Sequence, residues 1–288
     1  MKKLLALLLS VLMMAVCSSA LAEEPSFTYQ VTGQGAVYES DSLRYSIEIG
    51  NLDNTKVYLI RLWMQDPGRQ IRKVSAQWRE GLAYSQNLSA MIPEAALAIN
   101  GSGYVSPIYP EIPDNYPGVS ADYYYTSLGS LAITDGELLR CLEGVPYFGL
   151  TLEADGLHMY VGEDNETILA GEPTQTWSFY ERCPLIQNDE SILDRGWDFA
   201  LRKAARTIIA RLDDHDYVLL IVTRVHGLPL TVCTDFLLET FHPQWAYNLD
   251  GGPSTGLIRR MQGRRTQKLI YGSGQKVFDI MAFVELAD

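Results

Sequence analysis

Apolar and polar positions alternate along most of the chain, with the period of strands. Leu43 to Ile49 alternates cleanly and Lys56 to Trp63 less so, so both read as strands with one buried face. Ser89 to Ala96 has the pattern of a short helix feeding a strand at Leu97–Ile99. Asp135-Gly136 and Asp155-Gly156 follow the apolar runs Leu131–Thr134 and Gly149–Leu152, the signature of two-residue hairpins. Further strands are expected at Thr176–Tyr180 and Arg206–Leu212. Gln187 to Lys203 is largely polar and reads as a surface excursion with a helical end. Gly101 to Asp122 reads as a long loop rich in Gly, Pro and Tyr.

The last third changes character. Tyr217 to Val222 is a continuous apolar run, the pattern of a strand buried on both faces. Thr231 or Thr234 is placed to cap a helix ending near Phe241, and Trp245–Leu249 reads as a second strand. About 20 residues between the two strands suit a right-handed parallel crossover. Val277–Val284 closes the chain as a last strand. No repeat of fixed period and no linker interrupts residues 23–288. The expectation is one α+β domain of mixed sheets with hairpins and a C-terminal strand–helix–strand crossover.

The first residues change that picture only by removing themselves. Lys2 and Lys3 precede the apolar run Leu4–Val16, and Ala20-Leu21-Ala22 supplies small residues at the positions a signal peptidase reads. Residues 1–22 are therefore expected to be an export signal cut after Ala22. Cys17 lacks the small neighbour that a lipoprotein signal needs, since Met14-Ala15-Val16 precedes it. No later segment approaches the ~20 apolar residues of a transmembrane span.

Composition adds limits. Of 288 residues, 47% are hydrophobic and 20% charged, which excludes a disordered chain. The formal charge of -12 argues against nucleic acid or an anionic membrane as partner, while leaving room for a local Arg pocket around one phosphate. Cys141, Cys183 and Cys233 remain after the signal, an odd number with no zinc spacing. One disulfide or three buried thiols are both open. His158, His215, His226 and His242 form no HxxxH or HExxH motif, so no metal and no cofactor is expected.

Three short stretches carry candidate chemistry. Asn248-Leu249-Asp250-Gly251-Gly252-Pro253-Ser254-Thr255 follows a buried strand, where open α/β sheets place ligands. The Gly251 and Gly252 amides can form an anion nest with Ser254 and Thr255 beside it, or the stretch is a turn whose Asp caps its own backbone. Asn100-Gly101 ends the apolar strand Leu97-Ala98-Ile99, so its amide can reach a sugar hydroxyl or phosphate oxygen, or it is a plain turn. Arg206-Thr207 opens a strand, with Arg206 suited to a phosphate or to a surface ion pair. Tyr104, Tyr109, Tyr116 and Tyr123-Tyr124-Tyr125 crowd the loop after Asn100, either to stack on sugars or to pin the loop.

In this order, Ile99-Asn100-Gly101, the two Asp-Gly hairpins, Arg206-Thr207 and Leu249-Asp250-Gly251-Gly252 with Ser254 resemble the phosphodiester glycosidase family from about Val57 to Val284. The sequence departs from the family pattern at Ser102, Ala210 and Pro253, where glycines are usual. The resemblance implies hydrolysis of a glycan or sugar-phosphate substrate at the anomeric C–O bond of a sugar-1-phosphodiester. It implies Asp250 and Arg206 as catalytic residues. It also implies Asn100, Gly101, Thr207, Gly251, Gly252 and Ser254 as substrate-binding residues. An exported polysaccharide-binding module and a metal-dependent phosphoesterase with Asp250 as ligand are the readings from other classes.

Overall fold

A computed structural model describes residues 27–75, 83–105, 126–127, 129–260, 267–272 and 275–286. The expected export signal and the tyrosines Tyr109, Tyr116 and Tyr123–Tyr125 lie outside these residues. Two antiparallel sheets form the body. The larger has eight strands, in the spatial order Tyr29–Glu39, Leu43–Leu52, Thr55–Met64, Asp216–Val222, Arg206–Arg211, Trp245–Asn248, Pro184–Gln187 and Glu190–Ser191. The second has five, in the order Gln267–Gly272, Gly256–Arg260, Ala95–Asn100, Asp279–Val284 and Ile71–Ser75. A three-stranded sheet of Gly156–Glu163, Tyr147–Glu153 and Gln175–Ser178 lies beside them.

Local chemistry sets the hairpins. Asp53 and Asn54 take φ of 45° and 62°, and Asp135 and Gly136 take 50° and 76°. Two successive left-handed residues make the turn whose twist matches paired strands, and Asp, Asn and Gly enter that region most readily. Leu43–Leu52 therefore pairs directly with Thr55–Met64, and Leu131–Thr134 with Glu137–Cys141.

The parity of the strands then builds four layers. One face of the large sheet, with Tyr45, Ile60, Ile209, Leu219 and Tyr247, packs on Leu97, Ile99, Met281 and Phe283 of the five-stranded sheet and on Leu150 and Trp177. Its other face, with Leu59, Ile208, Val218 and Leu220, is covered by Leu230, Cys233, Phe236 and Leu237 of the helix Leu230–Phe241. The outer face of the five-stranded sheet is covered by Leu88 and Ile92, from and just after the helix Ser85–Ala90. Tyr217–Val222 is buried on both faces, as its apolar run requires.

Three expectations need correction. The sheets are not mixed: every pairing between described strands is antiparallel. The strand–helix–strand unit exists, yet Tyr217–Val222 and Trp245–Asn248 are not neighbours. Both pair antiparallel with Arg206–Arg211, which lies between them. Arg206–Arg211 forms a local hairpin with Asp216–Val222 before the helix is reached, so the returning strand takes the hairpin's free edge. The helix also starts without a Thr cap. Pro229 precedes it, and the Thr234 hydroxyl instead donates to the Leu230 carbonyl at 2.8 Å. Cys141 is exposed, Cys183 and Cys233 are buried, and all three are free thiols. Burial pushes the Cys183 and Cys233 thiols up to about 12. Among the described residues no helix is long and apolar enough to cross a membrane.

A buried charge pair ties the sheets together. Lys73 lies on the inward-facing parity of Ile71–Ser75, and its Nζ is 3.3 Å from Asp279 Oδ2, with both side chains almost fully enclosed. The same Nζ donates to the Thr176 carbonyl at 2.6 Å, in the three-stranded sheet. Removing one member of such a pair strands the other's charge in a dry interior. Asp279→Ala is expected to lower unfolding stability by about 3–5 kcal/mol. The double variant Lys73→Met/Asp279→Ala should recover part of that loss, as a denaturant titration of the three proteins would show.

Candidate active site at the Asp250 loop

The strand Ala95–Asn100 ends against the loop that follows Trp245–Asn248, and one side chain joins them. Asn100 Nδ2 donates to the Asp250 carbonyl at 2.7 Å, and its Oδ1 accepts from Thr207 Oγ1 at 2.6 Å and Gly256 N at 3.0 Å. The Asp250 N–H returns a bond to the Gly101 carbonyl at 3.0 Å. Asn100, Gly101, Thr207 and Asp250, far apart in sequence, are thus brought together as the motif order implies. Asn100 is fully buried, however, and its amide holds the protein frame rather than facing outward. Thr207 is likewise fully buried, with its hydroxyl on Asn100.

Gly101 is a glycine for steric reasons. A Cβ there would overlap the Asp279 carboxylate and press on the Trp177 ring. Asp279 accepts from Ser102 N at 2.6 Å through Oδ1 and from Gly101 N at 3.1 Å through its carbonyl. The turn after Asn100 is therefore clamped from below by the carboxylate that Lys73 neutralises.

The Asp250 carboxylate folds back onto its own loop. Oδ1 accepts from Gly251 N at 2.7 Å, and the Ser254 hydroxyl sits beside it. Burial pushes the carboxyl up to about 7; the Ser254 hydroxyl and the Gly251 N–H pull it down, and the Asp279 charge pushes it further up. A carboxyl that titrates near neutrality is suited to moving a proton. The expected anion nest does not form. Gly251 N–H is engaged by Asp250 itself, and Gly252 N–H donates to the Ala205 carbonyl at 2.8 Å. Gly252 has φ of +57°, and Gly251 has no room for a Cβ against that same carbonyl. Close packing on Ala205 accounts for Gly251 and the left-handed backbone for Gly252, rather than anion capture.

Arg206 also differs from expectation. It is 1% exposed, with Nε donating to the Leu228 carbonyl at 3.3 Å and Nη2 to Phe199 and Arg202 carbonyls at 2.9 and 2.7 Å. Its guanidinium lies 4.5 Å from the Phe199 ring centre. It is not a surface ion pair: among the described residues no carboxylate pairs with it. Arg206 shares the parity of Ile208, which faces the helix Leu230–Phe241, so its guanidinium lies on the opposite face of the strand from Thr207 and Asn100 and is not among the charges that shift Asp250.

Sequence reasoning missed Lys73, Asp279 and Trp177. A Lys on the inward parity of Ile71–Ser75 and an Asp inside the apolar run Val277–Val284 were the available signals. It also missed several buried polar atoms without a protein partner: Ser102 Oγ, Trp177 Nε1, Asn248 Oδ1 and Thr255 Oγ1. All four belong to residues in or against the two turns. Buried groups of this kind call for a ligand or water to complete them. Elsewhere, Glu153, Asp155 and His158 at the second Asp-Gly hairpin bring three ligand atoms within 4.8 Å of one another. The Asp155–His158 pair at 2.7 Å, and Thr151 and Tyr160 hydroxyls each 2.8 Å from Glu153, already satisfy that cluster.

Comparison with solved structures finds the same fold in distant proteins. The catalytic domain of zebrafish N-acetylglucosamine-1-phosphodiester alpha-N-acetylglucosaminidase, auto-inhibited by its pro-peptide, superposes with a TM-score of 0.63 at 16% identity, over 90% of this chain and 88% of that one. A hypothetical protein from Synechocystis gives 0.53 at 13% identity, over 90% of this chain and 68% of its own. A putative exported protein from Burkholderia pseudomallei gives 0.50 at 9%, over 82% and 77%. No curated protein sequence matches the chain. The sequence pattern of the phosphodiester glycosidase family matches residues 93–283, which include the strands and loops that carry Asn100, Thr207, Asp250 and Asp279. That match spans most of the described chain, and the chain belongs to the phosphodiester glycosidase family.

Proposed function

We propose that this protein is an exported hydrolase that cleaves the glycosidic C–O bond of a sugar-1-phosphodiester. The reading rests above all on the Asp250 carboxyl, held within its own loop with a titration point near neutrality. In its ionised form Asp250 takes a proton from water as the water oxygen bonds to the anomeric carbon. The anomeric C–O bond breaks and its electron pair leaves with the phosphate oxygen. The products are a free sugar and a phosphomonoester, and the proton passes from Asp250 to solvent. A phosphomonoester is a fair leaving group, so stabilising its charge matters more than protonating it. Arg206 acts from behind as a positioning residue, holding the 199–206 segment on which the Asp250 loop packs, while Ser102, Trp177 and Thr255 offer polar atoms to sugar hydroxyls. Asn100 and Thr207 act as positioning residues for the loop.

Products identify the bond. Incubation with an N-acetylglucosamine-1-phosphate diester should release free sugar and a phosphomonoester; sugar-1-phosphate as product would instead mean P–O cleavage and refute the reading. Asp250→Asn should fold normally and lose about 10²–10⁴-fold in kcat. Undiminished turnover in that variant would remove Asp250 from the mechanism. The wild-type kcat/KM should rise with pH through about 7, as the base ionises.

The same carboxyl links stability to pH. A carboxyl raised from 3.8 to about 7 on folding holds its proton more tightly in the native state. Its contribution is complete at pH below 3.8 and is lost as pH rises through about 7. Thermal melts should therefore show the wild type losing stability relative to Asp250→Asn across that window.

A further inference from the structure

A cleft of about 620 Å³, within the range of about 300–1,000 Å³ typical of small-molecule sites, opens between the segments around Phe179–Arg182 and Trp197–Arg202. One wall is aromatic. Phe179 and Tyr180 have ring centres 4.3 Å apart, Trp197 and Phe199 stack at 4.6 Å, and Tyr180 meets Trp197 edge-on at 6.1 Å. Tyr180 is 37% exposed, so the wall keeps ring area open to solvent. The rim carries Arg182 and Arg202. Arg182 is neutralised by Asp194 and Glu181, whereas Arg202 is exposed and has no carboxylate partner among the described residues.

The cleft and the Asp250 loop share a wall. Arg206 holds the Phe199 and Arg202 carbonyls and packs under the Phe199 ring, while Gly252 bonds the Ala205 carbonyl. Residues 199–206 therefore carry the cleft on one side and the Asp250 loop on the other. Ring faces favour the C–H faces of pyranoses, and a free guanidinium beside them favours phosphate or carboxylate. Arg202 gives the rim a local positive charge in a strongly acidic chain, which favours an anionic ligand there.

We infer that this cleft binds the aglycone side of an extended anionic glycan, with a sugar ring on Tyr180 and Trp197 and its anionic group on Arg202. The inference rests on the proposed hydrolysis for its orientation and makes the substrate an oligomer rather than a single sugar diester. It does not require catalysis for its binding.

The test uses the mature Asp250→Asn protein and a trimer of phosphodiester-linked N-acetylglucosamine, with chitotriose as the neutral counterpart. The trimer should change tryptophan fluorescence and bind at least about tenfold tighter than chitotriose, the scale of one charge-assisted contact. Tyr180→Ala and Arg202→Gln, each added to Asp250→Asn, should weaken trimer binding at least about tenfold at unchanged melting temperature. In the wild-type background the same substitutions should lower kcat/KM for the trimer and leave turnover of a methyl N-acetylglucosamine-1-phosphate diester unchanged. Equal binding of trimer and chitotriose, absence of trimer binding, or unaltered affinity in both variants would overturn the inference. Trimer binding that responds to Tyr180 and Arg202 without turnover of any diester would leave the cleft standing and sink the hydrolase reading. Normal turnover of the methyl diester with no effect of either substitution would do the reverse.

Discussion

The buried amide of Asn100 joins two sheets that share no backbone ladder. Its Nδ2 faces the Asp250 carbonyl, and its Oδ1 faces Thr207 and Gly256, so a single side chain binds elements from both halves of the sandwich. Sandwiched sheets ordinarily slide against each other through apolar contacts alone, which are non-directional. The two bonds that leave its own sheet, to Thr207 and to the Asp250 loop, are directional and fix that sliding coordinate. The position of Asp250 is set by the same bonds, as is the turn at Gly101. Apolar layers give the molecule its bulk, and this amide gives one end of it a defined geometry.

Around the amide, charges are buried in unequal company. Lys73 and Asp279 neutralise one another. Arg206 has only carbonyls and an aromatic ring. Asp250 has a backbone amide and a hydroxyl. The inequality matters because a fully compensated site has no field left for a ligand. Here the clamp below the Gly101 turn is compensated, whereas the Asp250 carboxyl is not. Rigid support and residual field are thereby divided between different residues, as expected where a reaction is to be stabilised electrostatically.

Local signals were legible in the sequence and long-range ones were not. Asp135-Gly136 encodes its own turn, and Tyr217–Val222 shows its double burial through unbroken apolar character. The motif order grouped Asn100, Thr207 and Asp250, which hydrogen bonds join, with Arg206, whose side chain turns to the other face of its strand. Their roles were less legible, because a side chain's partners come from strands distant in sequence. Asn100 and Gly252 look like ligand groups until Thr207, Gly256 and Ala205 are seen to take their bonds. The adjacency of Tyr217–Val222 and Trp245–Asn248 failed for a related reason. A helical crossover specifies that two strands run the same way, and leaves open whether a third, from an earlier hairpin, stands between them.

The three strands within Tyr29–Met64 precede residue 93, where the family match begins, yet they are part of the large sheet. Thr55–Met64 pairs along its length with Asp216–Val222, the strand buried on both faces. The folding unit is consequently larger than the matched family region. A fragment cut at the match would expose Asp216–Val222 as a long, flat, apolar edge, the kind of surface that recruits other chains into intermolecular sheets. The N-terminal strands are in this sense an edge guard, covering Asp216–Val222 while contributing no residue to the Asp250 loop.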